Sequence, residues 1–338
     1  MATSTGIPAA LREIIGPSGE AMQAAVIAEP GRTVIKRAPI PPPLPDQVRF
    51  RVEGCGVCAS NLTPWSGPEW MRFPTAPGEL GHEAWGVVDA VGANVRSIKR
   101  GDRIAALSYR AYAQFDVAEE NACVVLPPDL EAQTFPGEPL GCAMNIFRRS
   151  NIEAGQTVAI VGAGFLGLLL TQLAAKTGAR VIAISRRKFA LQMALRMGAH
   201  QAVAMADRNA IAECVGDLTN GKFCDRVIEA VGMQEALDIA GEVTGERGRL
   251  VIAGYHQDGL RRVNMQIWNW RGIDVINAHE RDPAIYMQGM REAVEAVATG
   301  RLDIGSLITH RFALEQLGDA LNATRDRPDG FIKAVVAP

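Results

Sequence analysis

The chain has almost no charge imbalance: 35 lysines and arginines face 37 aspartates and glutamates, for a net charge of −2 over 338 residues. That balance excludes the basic footprint of a nucleic-acid binder and the polybasic anchor of a membrane-surface protein. Long apolar runs are also missing. The longest, residues 158–170, is broken by Gly162, Gly164 and Gly167 and is too short to span a bilayer. The opening MATSTGIPAALREIIGPSGE lacks the basic start, apolar run and small-residue cleavage site of a secretory signal. Six cysteines (Cys55, Cys58, Cys123, Cys142, Cys214 and Cys224) are too few and too scattered for a disulfide framework. Reduced thiols and a cytoplasmic location are therefore expected.

What is present divides the chain by texture. Its length favours two domains over a single core. Residues up to about 19 read as a tail with one short helical stretch near residues 9–14. Short β-like runs follow at 24–27, 33–36, 47–52, 83–91 and 103–106, with a five-proline linker across 38–45. The first ~130 residues thus predict a mostly β, barrel-like domain. Beyond them, buried strands at 157–161, 180–184, 225–230, 249–253 and 274–276 alternate with helices at 166–177, 188–197 and 233–243. That alternation predicts an α/β, doubly wound parallel sheet. A last helix at 284–298 precedes a final strand at 331–336 that resembles the β-rich half again.

Gly162, Gly164 and Gly167 form G-x-G-x-x-G directly after a strand and at the start of a helix. The first glycine permits the tight turn, the second admits a pyrophosphate to the backbone, and the third lets helix pack on strand. The helix N-terminus around Phe165 and Leu166 then favours phosphate. A nicotinamide dinucleotide is the expected cofactor. The second strand ends in Ser185, Arg186 and Arg187, with no acid to accept the ribose hydroxyls of NAD. A hydroxyl and guanidinium groups bind a 2′-phosphate, so NADP is favoured, with NAD possible.

Two loops of the β-rich half add a thiol and an imidazole: Cys58 in G-V-C-A-S-N and His82 in G-H-E. Together they suit a zinc site with an open position. With the glycine pattern Gly86, Gly92, Gly101-Asp102, then GAGFLG and the late Leu307-Ile-Thr-His310, the chain closely resembles the medium-chain, zinc-dependent alcohol dehydrogenase family over nearly everything from Met22 onward. The resemblance implies a GroES-like β-rich catalytic domain (1–140 and 280–338, with 1–20 an N-terminal extension). It also implies a Rossmann domain (141–279) and an active site in the cleft between the two.

By position, Cys58 and His82 match the catalytic zinc ligands, and Glu83 matches a glutamate that binds or approaches the metal. Glu138, in Glu-Pro-Leu-Gly-Cys, matches the third protein ligand of the polyol branch, with Cys142 a softer rival. Ser60 matches the hydroxyl that relays the substrate proton. Val231 and Ala253, Gly254 and Tyr255 fall where the family contacts the nicotinamide, and His256 and His279 follow strands at the ligand-binding edge of such a sheet, where either touches substrate or is a surface histidine. Asn61 replaces an aspartate that orients the zinc histidine, although its amide oxygen can still accept that hydrogen bond. Thr63 replaces a histidine of the relay in some members. The four-cysteine structural-zinc lobe is absent, so one catalytic zinc per chain is expected. The resemblance implies hydride transfer between a small-molecule alcohol, polyol or sugar-derived substrate, or its carbonyl, and the nicotinamide. It implies no nucleic-acid or membrane partner, and a homodimer or homotetramer. Zinc-free quinone or enone reduction, or binding without catalysis, are the alternatives within the fold.

Overall fold

Alternation with period two builds the β-rich part, because successive side chains leave a strand on opposite faces. The computed structural model describes residues 20–205 and 207–338; the helix expected near residues 9–14 lies outside them. Strand β1 (Ala21–Glu29) pairs antiparallel with β2 (Arg32–Pro39). Strand β3 (Gln47–Gly56) alternates buried and open positions until Val52, after which Gly54, Cys55 and Gly56 are all buried. It pairs antiparallel with β4 (Glu83–Val91) and also with β6 (Phe115–Glu119). Beyond β4 lie β5 (Arg103–Ala106) and β7 (Cys123–Val125). The β3–β4 register sets Gly56 opposite Glu83, so the residues just past β3 and just before β4 share one end of the sheet.

The second sheet consists of near-continuous apolar strands buried on both faces, the mark of parallel sheets covered by helices. Its strands are β8 (Thr157–Val161), β9 (Arg180–Ser185), β10 (Gln201–Ala204), β11 (Cys224–Glu229), β12 (Thr244–Ile252) and β13 (Asp274–Asn277). All pairs are parallel, in the order β10-β9-β8-β11-β12-β13. The winding reverses between β8 and β11, the position at which such sheets bind ligands beyond their carboxyl ends. Val161, Ile182, Ile184, Val227 and Leu250 are among the buried residues that helix Gln234–Val243 helps to cover. Each such aliphatic side chain contributes roughly 1.5–3 kcal/mol on burial.

The chain forms two compact units. The first comprises residues 20–138, His310–Asp326 and Ala334–Pro338; the second comprises Pro139–Thr309 and Arg327–Lys333. Strands β14 (Ile308–Ala313) and β15 (Lys333–Ala337) bring the chain back to the β-rich sheet, where β15 pairs with β3. Residues 139–140, 280–309 and 327–333, expected with the β-rich residues, belong instead to the second unit. Helix Pro283–Ala298 explains this for 280–309: a Cβ on its Gly289 would lie 2.5 Å from the carbonyl oxygen of Gly141, and its Glu292 pairs with Arg148 at 3.3 Å. Gln172 also exchanges two hydrogen bonds with the main chain of Asp303, at 3.0 and 2.7 Å. No helix among the described residues is long and apolar enough to cross a membrane.

Candidate active site

Cys58 follows β3 by two residues, in extended conformation at the start of the 3-10 turn Ala59–Asn61. His82 immediately precedes β4 and Glu83 opens it. The antiparallel register therefore delivers a thiol, an imidazole and a carboxylate to one sheet end. Their ligand atoms all lie within 4.8 Å of one another, and this is the only such trio of His, Cys, Asp or Glu among the described residues. Glu83 is fully buried, and a Cβ on Gly56 would fall 1.7 Å from its Oε2. Gly56 is glycine because the carboxylate occupies the space a side chain would need.

His82 is held by main chain. Its Nδ1 is 2.8 Å from the carbonyl oxygen of Leu80, a contact that makes Nδ1–H the donor and leaves Nε2 as the nitrogen that can give up its proton to a metal ion. Leu80 adopts a positive φ of 76°, the left-handed turn that aims its carbonyl. The hydrogen bond that the sequence predicts from His82 to the Asn61 amide oxygen does not form. Asn61 Nδ2 donates to the same Leu80 carbonyl at 3.2 Å and to the Tyr112 hydroxyl oxygen at 2.8 Å. A carbonyl with two lone pairs serves both donors, and Asn61 orients the histidine only through it. The Tyr112 hydroxyl donates onward to the carbonyl of Gly56 at 3.3 Å.

The electrostatics of this sheet end favour a cation. Burial by itself would lower the His82 pKa. The hydrogen bond to Cys58 and the negative charges of Cys58, Glu138 and Glu83 nonetheless raise it to about 10. Burial, then Cys55, Glu83 and Cys58, push Tyr112 well above the usual phenol range. A site that draws a proton so strongly onto an imidazole offers the same negative field to a metal ion. Thiolate, imidazole and carboxylate together fit a borderline-soft divalent ion such as zinc. Glu138 is half-buried and its charge acts on His82, whereas the Cys142 thiol lies 3.6 Å from the Tyr286 hydroxyl in the second unit. Ser60 and Thr63 are half-buried on the segment just past Cys58. No disulfide joins any of the six cysteines, and Cys55 is buried within β3.

In the second unit, Gly162 follows β8 with φ 108°, and helix Phe165–Lys176 starts at once, with Gly164 at its N-cap. A Cβ on Gly167 would lie 1.8 Å from the Gly162 carbonyl oxygen, whereas one on Gly164 would meet nothing within 4 Å. The first and last glycines are thus needed for folding, and the middle one leaves open space at the helix start. Phe165 is buried, with the Lys333 ammonium 5.1 Å from its ring centroid; Leu166 is half-buried. At the end of β9, Ser185 is buried and Arg186 is exposed. Arg187 is half-buried and donates to the Phe331 carbonyl.

Arg327 joins these arginines. Partial burial first, and then Arg327's charge, hold Arg187 below its ordinary pKa; partial burial and Arg186 do the same to Arg327. The three positively charged side chains of Arg186, Arg187 and Arg327 thus gather beyond the end of β9. Val231, Ala253 and Gly254 are half-buried beyond β11 and β12, and Tyr255 is exposed and stacks on His279 at 5.6 Å. His256 turns inward to Glu229.

Two family descriptions match the chain: the alcohol dehydrogenase GroES-like domain over residues 44–163 and the zinc-binding dehydrogenase over residues 166–296. The chain belongs to the medium-chain, zinc-type alcohol dehydrogenase family. D-arabitol-phosphate dehydrogenase of Enterococcus avium is 26% identical over 316 residues, covering 84% of this chain and 88% of that protein. Sorbitol dehydrogenase of Bacillus subtilis is 25% identical over 351 residues, covering 94% and 97%. A solved structure from Sinorhizobium meliloti 1021, described as a zinc-binding dehydrogenase bound to NADP, is similar with a TM-score of 0.82 and 27% identity. It covers 94% of this chain and 100% of its own.

Family membership makes the chain an oxidoreductase of alcohol dehydrogenase type. Leu80, Tyr112 and Arg327 escaped the motif reading. Leu80 acts through a carbonyl that every residue has, and Tyr112 sits in a stretch without diagnostic spacing. For Arg327 a signal existed in the basic pair of Arg325-Asp-Arg327 near the final strand.

Proposed function

We propose that the chain is a zinc-dependent, NADP-preferring dehydrogenase that transfers hydride between a small alcohol or polyol, or its carbonyl, and the nicotinamide. The observation that carries this reading is the convergence of Cys58, His82 and Glu83 at one sheet end, in a field to which Glu138 adds. Cys58, His82 and Glu138 would hold the metal, and Glu83 lies close enough to bind or approach it. When bound, zinc supplies Lewis acidity that lowers the pKa of an alcohol toward neutrality, and the nicotinamide supplies the hydride acceptor or donor. The chain's own residues do the rest. The Leu80 carbonyl keeps the His82 proton on Nδ1, which leaves Nε2 as ligand. Ser60, two residues beyond Cys58, holds and passes the substrate hydroxyl proton. Gly162, Gly164 and Gly167, with Phe165 and Leu166, bind the pyrophosphate at the helix start. Ser185, Arg186 and Arg187, joined by Arg327, bind the 2′-phosphate, and Val231 with Ala253, Gly254 and Tyr255 line the nicotinamide.

Relatives named for sorbitol and D-arabitol phosphate support polyols as the substrate class. Strand β13 ends the parallel sheet with mostly exposed residues, which supports association of identical chains through that edge, as a homodimer or homotetramer. The test is a panel of alcohols, polyols and polyol phosphates with NAD and NADP in parallel, on zinc-loaded enzyme. NADP-dependent turnover of a polyol is expected, and turnover that survives complete removal of the metal would overturn the zinc reading.

A further inference from the structure

Glu229 closes strand β11 and is fully buried. A carboxylate withdrawn from water must find donors for its oxygens. Oε1 accepts from the main-chain N–H groups of Val231 at 2.7 Å and Gly232 at 2.8 Å. Oε2 lies 2.9 Å from His256 Nε2. The other ring nitrogen, Nδ1, accepts from Arg261 Nε at 2.8 Å, which assigns the proton to Nε2 and makes the imidazole the donor to Glu229. Arg261 also donates through Nη2 to the Gly232 carbonyl at 3.0 Å and to the Asp258 carboxylate. The bonds form a closed ring from Glu229 through Gly232, Arg261 and His256 back to Glu229.

That ring ties together two loops on neighbouring strands, residues 230–233 after β11 and residues 253–262 after β12. Their backbones touch as well. A Cβ on Gly254 would lie 2.1 Å from the Gly232 nitrogen and 2.6 Å from Glu229 Oε2. The first loop also abuts the glycine turn, since a Cβ on Gly162 would lie 2.5 Å from a Val231 methyl. Neither loop belongs to a helix or strand at these positions, and the polar ring gives them a single arrangement.

We propose that Glu229, His256 and Arg261 are positioning residues that hold these two loops in the form that receives the nicotinamide half of the dinucleotide. The proposal rests on the cofactor reading above. The clamp touches no cofactor itself; it acts through Val231, Ala253, Gly254 and Tyr255. Its selectivity follows from the sheet order. Strand β9, which ends in Ser185, and strand β11, which ends in Glu229, lie on opposite sides of β8. The two halves of a dinucleotide lie on the two sides of that reversal. Loss of the clamp therefore weakens the grip on the nicotinamide half and spares the adenosine half.

The experiment is calorimetric titration of the full-length chain and its His256→Ala and His256→Gln variants. The ligands are NADPH and the same molecule lacking nicotinamide, 2′-phospho-ADP-ribose, with NADH and ADP-ribose as a parallel pair. His256→Ala should weaken the complete dinucleotide about tenfold, the effect of one lost charge-assisted hydrogen bond, and leave its truncated form within about twofold. His256→Gln should recover most of the loss, because its Nε2–H reaches the same Glu229 oxygen. Unchanged affinity of the Ala variant, equal losses for both ligands, or a Gln variant no better than Ala overturns the clamp. A wild-type chain that binds neither pair overturns the cofactor reading and the clamp with it.

Discussion

His82 owes its proton arrangement to an atom of another residue. The Leu80 carbonyl fixes the tautomer, and Asn61 reaches the imidazole only by sharing that carbonyl. The motif residues Cys58 and His82 were legible in the sequence because their chemistry resides in side chains that few other residues replace. The Leu80 contact was not, because it depends on one left-handed backbone angle and on strand register. Cys58→Ala removes the softest donor of the trio, so metal analysis should find less than about a tenth of the wild-type zinc, with turnover lost by at least about a hundredfold. Cofactor titration should stay within about twofold, because the glycine turn belongs to the other unit. Normal activity in this variant would sink the metal mechanism. For the arginines, Arg327→Ala should weaken NADPH about tenfold or more and leave NADH almost unchanged, since only the former carries a 2′-phosphate. Equal losses for both dinucleotides would remove Arg327 from that subsite.

Among the elements, the strand–turn–helix from β8 into helix Phe165–Lys176 was readable because a continuous apolar strand, three spaced glycines and a helical pattern agree. Helix Gly137–Ser150 was not read, since Gly137, Pro139 and Gly141 look like breakers; proline in a first turn, where its missing N–H is no loss, is compatible with helix. Strand β10 is four residues long at a sheet edge and too short to show a pattern. Glu229 ended a buried apolar strand in plain view, but nothing in the sequence says that His256 lies against it. The glycine turn itself offers a clean contrast. Gly167→Ala drives a methyl to 1.8 Å from a carbonyl oxygen and should destabilise the chain by roughly 1–3 kcal/mol, measured by denaturant unfolding. Gly164→Ala meets no atom and should leave the denaturant midpoint nearly unchanged, yet weaken NADPH by about tenfold or more, because the methyl points into the space left for phosphate. Full NADPH affinity in a folded Gly164→Ala variant would move the pyrophosphate elsewhere.

At the scale of the whole molecule, the chemistry divides between units that the chain visits more than once. Cys58, His82, Glu83 and Glu138 all fall in the β-rich unit, while Gly162, Arg186, Arg327 and Glu229 all fall in the parallel-sheet unit. The later boundary was hard to read because residues 280–309 carry no nucleotide motif, and it is tertiary contacts that assign them: those of Gly289 and Glu292 with helix Gly137–Ser150 and that of Asp303 with Gln172. This division predicts that the two ligands stabilise different parts of the same chain. A ligand at a hundred times its dissociation constant adds about 2.7 kcal/mol to the stability of the state that binds it. Hydrogen exchange should therefore show zinc slowing the amides around Gly56 and Glu83, and NADPH slowing those of residues 162–168 and 230–233. Chelation should remove about one zinc per chain, abolish alcohol oxidation and undo the first protection while leaving the second. If chelated protein instead retains both protection and turnover, with a quinone or enone as acceptor, the zinc site is not the seat of the reaction and the zinc-free reductase reading replaces it.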